Sequence, residues 1–198
     1  MSEVVGTRSI PARGPAMPAR EGPTEAEIRW AWQQPLVLGA AAVLGVVTLL
    51  LLGLNSHGII GAGFVAVLVI LAAIDIELRA IPNRIVLPAA AAVLLLQIAF
   101  FPDDAVEWLA ASLGAAVFLL VPALVFPAGM GMGDVKLALL LGAMLGVDVI
   151  PAMLVGFLSL WPVAIYLIAT QGWEARKEKV PLGPALAFGG ILILLLSG

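Results

Sequence analysis

Seven apolar runs, at residues 36 to 54, 59 to 74, 85 to 101, 106 to 126, 135 to 150, 151 to 170 and 183 to 197, fill almost the whole chain beyond residue 34. A helix that crosses a bilayer needs about 20 apolar residues, within a range of about 17 to 25. In hydrocarbon a backbone N–H or C=O finds no partner except another backbone group, so each run is expected to be a helix. The period-2 alternation of a barrel strand is absent. The expected class is therefore all-α, a polytopic transmembrane bundle of about seven spans. Composition agrees: 62% of residues are hydrophobic and 12% charged, where a soluble domain has about a quarter charged. The second, fifth and seventh runs are short and are expected to borrow flanking residues or to pack inside the bundle.

Two domains follow, residues 1 to 34 and 35 to 198. Pro11, Pro15, Pro18 and Pro23 alternate with Arg8, Arg13 and Arg20 in the first, a composition that favours a flexible polar tail. It has no apolar core of the kind a cleaved signal peptide carries. Thr24-Glu25-Ala26-Glu27 fits a capping box and predicts a short helix through Trp30 and Trp32, at headgroup level. Letting seven spans alternate sides places the tail and the connections at 75 to 84, 127 to 136 and 171 to 182 together. That side holds all ten Lys and Arg, among them Arg79, Arg84, Lys136, Arg176, Lys177 and Lys179. The opposite connections carry His57, Asp103, Asp104 and Asp148 but no Lys or Arg. An excess of positive charge marks the cytoplasmic side. The expected location is thus the cell membrane, multi-pass, with the N-terminus and the first-named loops cytoplasmic.

Two acidic side chains lie at the edges of apolar runs on that face, Asp75 and Asp134. A carboxylate at membrane depth costs several kcal/mol unless paired or wet, so each is a functional candidate by default. If the two converge, they cannot both ionise at modest cost, and the pair retains one proton. The ionised member can then take a proton from water while the protonated member polarises a scissile carbonyl, which is peptide hydrolysis without metal or cofactor. Bland readings compete with this one. Asp134 before an apolar run is also a natural helix cap, and Asp75 with Arg79 has the i, i+4 spacing of an ion pair. The absence of cysteine excludes disulfides, thiol nucleophiles and Cys-ligated metals. One histidine excludes a site that needs two. No basic block points to nucleic acid. His57 is expected in a short outer loop, and Trp108 and Trp173 as interfacial anchors.

The motifs around these aspartates resemble those of the prepilin peptidase (type IV leader peptidase) family, the GxGD-type aspartic proteases of the membrane. The matching residues are Asp75 with Pro82-Asn83, then Gly131-Met132-Gly133-Asp134 followed by Val135-Lys136, then Val180-Pro181-Leu182-Gly183-Pro184. They occur in that order from about Val65 to the C-terminus. The resemblance implies Asp75 and Asp134 as the catalytic pair and pilin-like precursors as partners, cut on the cytoplasmic side after a glycine. It also implies Glu77, Pro82, Asn83, Gly131, Gly133, Lys136, Gly183 and Pro184 as substrate-binding or supporting residues, with no metal and no cofactor. The two glycines before Asp134 suit the approach of an extended substrate. Larger family members carry a cysteine-containing domain associated with N-methylation. The cysteine-free, proline-rich start here resembles the short, peptidase-only members, and a homo-oligomer is compatible with the sequence.

Two other classes share some of these features. Presenilin-like and signal-peptide-peptidase-like proteases also combine an Asp, a GxGD and a Pro-Ala-Leu, here Pro184-Ala185-Leu186. The same tripeptide recurs at Pro122-Ala123-Leu124, so it discriminates little. A proton-coupled transporter is expected to show an inverted repeat and mid-membrane carboxylates, and neither is evident.

Overall fold

A computed structural model of the chain describes residues 23 to 125, 130 to 171 and 181 to 197. The tail through residue 22, and the connection at 172 to 180 with Trp173, Arg176, Lys177 and Lys179, lie outside the described residues. The described chain is helical throughout: α1 (Glu25–Trp32), α2 (Pro35–Leu52), α3 (Ser56–Leu78), α4 (Asn83–Phe100), α5 (Ala105–Val125), α6 (Met132–Leu145), α7 (Val149–Gln171) and α8 (Gly183–Ser197). The seven apolar runs are α2 to α8, an all-α polytopic bundle. Five stretches are long and apolar enough to cross a membrane, and the fifth, Met132–Pro162, takes in α6 and most of α7. The chain breaks between those two helices at Gly146, whose φ of 54° needs a glycine.

Each short run resolves differently. The second gains three residues at its start and four at its end to become the 23-residue α3. The fifth and seventh stay short, at 14 and 15 residues, and pack inside. At about 1.5 Å per residue α6 is roughly 21 Å long, less than the ~30 Å of hydrocarbon. Ten of its 14 residues are buried, so protein rather than lipid surrounds it.

Around α6 lie α4, α5 and α8. Apolar packing against α6 gains little from hydrophobicity in lipid, where tails are as apolar as leucine, so close approach and interhelical hydrogen bonds decide the contacts. Gly142 faces the Ala111 carbonyl and Ser112 of α5, where a Cβ would come within 2.6 Å of the Ser112 Cα. The Ser112 hydroxyl donates to the Leu139 carbonyl at 2.8 Å, and the Gln97 amide of α4 donates to the Met144 carbonyl at 3.2 Å. Between α7 and α8, Gly156 abuts Ala185 and Leu186, and Gly189 abuts Ala152. Gly190 leaves room for Leu141 of α6 and Leu68 of α3 on the same side of α8. Through that gap α8 joins α3 to α6.

At the start of the described chain the capping box forms as expected. Glu27 accepts from the Thr24 N–H at 2.7 Å and from its hydroxyl at 2.8 Å. The backbone bond is the main reason that its carboxyl titrates below the usual range. Glu25 pairs with Arg84 at the start of α4. Two local expectations change. His57 belongs to the first turn of α3 rather than to a loop, because Asn55 caps that helix by accepting from the Gly58 N–H at 2.8 Å. Trp108 turns its indole against Gly146, and its Nε1 is buried without a hydrogen-bond partner among the described residues, which is not the posture of a headgroup anchor.

Candidate active site

Four helix ends carry the motif residues, and they meet at one end of the bundle: the C-terminus of α3 and the N-termini of α4, α6 and α8. The α3 end is set by Arg79, which adopts a left-handed conformation (φ 50°, ψ 39°) and donates its N–H to the Asp75 carbonyl at 2.9 Å. A non-glycine residue in that region costs roughly 1–2 kcal/mol. The turn sends Ala80-Ile81-Pro82 across toward α6. Ile81 packs on Gly133, where a Cβ would lie 2.9 Å from its own Cβ. Pro82 is buried as the cap residue of α4, a position with no N–H to lose. Gly133 therefore has a packing reason to be glycine, in addition to any approach of substrate.

Asp75 stands about one turn inside the end of α3 and is 6% exposed; Asp134, third residue of α6, is 9% exposed. Each uses its Oδ2 on a backbone amide. Asp75 accepts from the Gly183 N–H at 3.1 Å, and Asp134 accepts from the Gly131 N–H at 3.1 Å. Both donors belong to helix starts, where amides lack intrahelical partners and the dipole favours an anion. Among the described residues neither Oδ1 has a hydrogen-bond partner. Ile81, six residues after Asp75, packs on Gly133, the neighbour of Asp134, so the two carboxylates lie at the same end of the bundle. No extensive packing joins α3 to α6, and α4 and α8 each pack on both. The convergence of the two aspartates thus depends on the flanking helices.

The bland readings receive a partial answer. Asp134 does take part in the α6 cap, through Gly131. Asp75 forms no ion pair with Arg79 among the described residues.

The remaining motif residues divide. Lys136 Nζ donates to Asn83 Oδ1 at 2.6 Å, tying α6 to the start of α4 across 53 residues. Gly183 is buried against Asp75, and Pro184 follows it in the first turn of α8, where its missing N–H is harmless. Glu77 is exposed and has no hydrogen-bond partner among the described residues, so it does not join this network. Sequence reasoning gave no packing role to Ile81, in the connection at 75 to 84, or to Gly190, which looks like an ordinary member of the last apolar run. It also passed over Gln97, although a lone amide inside an apolar run is a visible signal of an interhelical hydrogen bond. Among the described residues no group of three or more His, Asp or Glu side chains is placed to hold a metal ion.

The Lys136–Asn83 bond makes a specific prediction. It holds the α4 start so that Ile81 stays on Gly133, and it touches neither aspartate. Lys136→Ala is expected to lower any activity of the site by about tenfold, roughly the 1–1.5 kcal/mol of one such bond. Lys136→Arg, which can still donate to Asn83, should recover most of that loss. An alanine variant as active as the wild type, or an arginine variant as poor as the alanine, would show that the bond positions nothing.

A family model described as the type IV leader peptidase family matches residues 62–169. A prepilin leader peptidase/N-methyltransferase of Bacillus subtilis (strain 168) is 39% identical over 140 residues, covering 67% of this chain and 53% of the relative. Proteins of the same description from Burkholderia pseudomallei strains 1026b and K96243 are each 30% identical over 177 residues, covering 81% of this chain and 53% of theirs. The chain spans about half the length of the curated relatives it matches. No solved structure matches.

Proposed function

The chain belongs to the type IV leader peptidase family, and on that premise we propose that it is a membrane aspartic endopeptidase that removes the leader from prepilin or pilin-like precursors. Asp75 and Asp134 are the catalytic pair, and a water between the two oxygens that have no partner among the described residues is the nucleophile. One carboxylate is ionised and takes the proton of the attacking water, and the other is protonated and donates to the scissile carbonyl oxygen. The tetrahedral intermediate collapses as the amine leaves with a proton from the pair. The amides of Gly183 and Gly131 hold the carboxylates still, so little reorganisation is needed during the reaction.

The observation that carries this reading is the way the two aspartates are held at one end of the bundle. Each is nearly dry and each is anchored at one oxygen by an amide from a helix start, yet they come from helices with no extensive contact. A capping role accounts for the Gly131 bond but not for Asp75, which sits at the wrong end of its helix to be a cap. Both aspartates lie within about 5 Å of a helix end at 1.5 Å per residue, which suits cleavage beside the membrane rather than within it. The face is cytoplasmic by charge, since Arg79, Arg84 and Lys136 surround it.

Incubation of the membrane-embedded protein with a pilin precursor, followed by mass spectrometry of the new N-terminus, tests the reading. The expected product begins directly after the glycine at the leader boundary. An uncut precursor, or one cut inside its apolar helix, would sink it.

A further inference from the structure

Beside Asp75 the structure holds an apolar groove of about 440 Å³, lined by Ile76 of α3, Ser159 and Leu160 of α7, Pro181, and Pro184, Ala185 and Phe188 of α8. It adjoins Asp75 through two chain neighbours. Ile76 follows Asp75 in the chain, and Pro184 follows Gly183, whose amide holds Asp75. The groove runs from Pro184 to Phe188, about 6 Å along α8 at 1.5 Å per residue, away from the end of the bundle where Asp75 lies. Ile76 and Phe188 are 59% and 53% exposed although both are large and apolar. The Ser159 hydroxyl is already satisfied by the Gly156 carbonyl at 2.7 Å.

We propose that this groove seats the apolar segment on the C-terminal side of the cleaved bond, with Ile76 and Phe188 as its specificity-determining side chains. The inference rests on the leader-peptidase reading above and assigns one half of the substrate to one wall of the site. Charge decides which half. Among the described residues no charged side chain lines the groove, so a basic leader finds no counter-ion in them and would lose hydration without compensation. An apolar segment loses nothing. The position decides the same way, because a chain cut beside Asp75 that continues into the bilayer must pass along α8. Glu77, exposed two residues after Asp75 and on another face of α3, stands outside the groove where a basic leader can remain in water.

The absence of cysteine allows a direct test. Phe188→Cys and Ile76→Cys are each made in the full chain carrying Asp134→Asn to prevent turnover. The probe is a synthetic precursor with a lysine-rich leader, a glycine and an apolar helix of about 20 residues, with one cysteine on either the leader side or the apolar side. With a mild oxidant added to accept the two electrons, disulfide formation is expected at least about tenfold faster with the apolar-side cysteine, as for thiols held at high effective concentration. Leu154→Cys, also exposed on α7 but outside the groove, should show no such preference. In the otherwise unaltered chain, Phe188→Ala should raise KM by about tenfold and leave kcat within about twofold, the pattern of lost uniform binding. Preferential crosslinking to the leader, equal crosslinking at Leu154, or a fall in kcat with KM unchanged would each overturn the groove assignment while wild-type cleavage of the same probe kept the peptidase reading intact. Failure of the wild type to cut the probe would remove both.

Discussion

Asp75→Asn and Asp134→Asn are each expected to abolish leader removal, with a loss of at least about a thousandfold, while the protein inserts and folds as before. The size follows from the general acid–base contribution of a positioned carboxyl, about 10²–10⁴ in rate, with the proton of the attacking water left unaccepted. Asparagine suits this test because its amide oxygen can still accept from the Gly183 or Gly131 N–H that holds the native carboxylate. The local hydrogen bond survives and the titratable group does not. A purely structural Asp134 would behave differently. Caps contribute about 1 kcal/mol, and α6 is held by ten buried residues of 14, so loss of a cap would leave an active enzyme. The measurement is cleavage of a pilin precursor in membranes, alongside thermal unfolding of the purified variants. Full processing by either variant would refute the assignment.

Gly183→Ala is expected to reduce the same activity by about a hundredfold without unfolding the protein. A Cβ at this position would stand 2.6 Å from Asp75 Oδ2, 3.0 Å from its Cγ and 3.2 Å from its Cβ. Those atoms belong to a short side chain on a buried helix, so the clash is relieved only if the carboxylate swings off the Gly183 amide or α8 retreats. Either movement misplaces Asp75 by about 1 Å, a displacement that costs on the order of 10² in rate. Stability responds less, because alanine in place of glycine favours a helix by about 1 kcal/mol and offsets part of the strain. Gly63→Ala and Gly114→Ala are the controls, since a Cβ at either meets nothing within 4 Å. Parallel initial rates and melting curves separate the effects. A Gly183→Ala variant with near wild-type rate would mean that this amide does not position Asp75.

Much of the fold was legible because hydrocarbon imposes one rule on every residue. The apolar runs marked α2 to α8, and the short runs were recognised as needing either longer flanks or shelter. Thr24 and Glu27 announced their capping box through local chemistry alone. Asp75, Pro82-Asn83, the Gly-Met-Gly-Asp stretch and Gly183-Pro184 stood out as a set in order. His57 was misplaced by one turn because the helix start depends on an Asn55 side chain, a detail that hydropathy does not carry. Glu77 was grouped with the supporting residues on resemblance, and among the described residues no hydrogen bond ties it to them.

Covalent order and hydropathy were enough to determine a polytopic helical chain with two carboxyl groups about one turn from helix ends. They could not determine which amide meets which carboxylate. That was decided by α8, which reaches both α3 and α6 because Gly190 leaves space for Leu68 and Leu141, and by Lys136 reaching Asn83. Contacts between residues 53 or 108 positions apart leave no periodic trace along a chain. They exist only once the helices have packed, where a missing side chain matters as much as a present one.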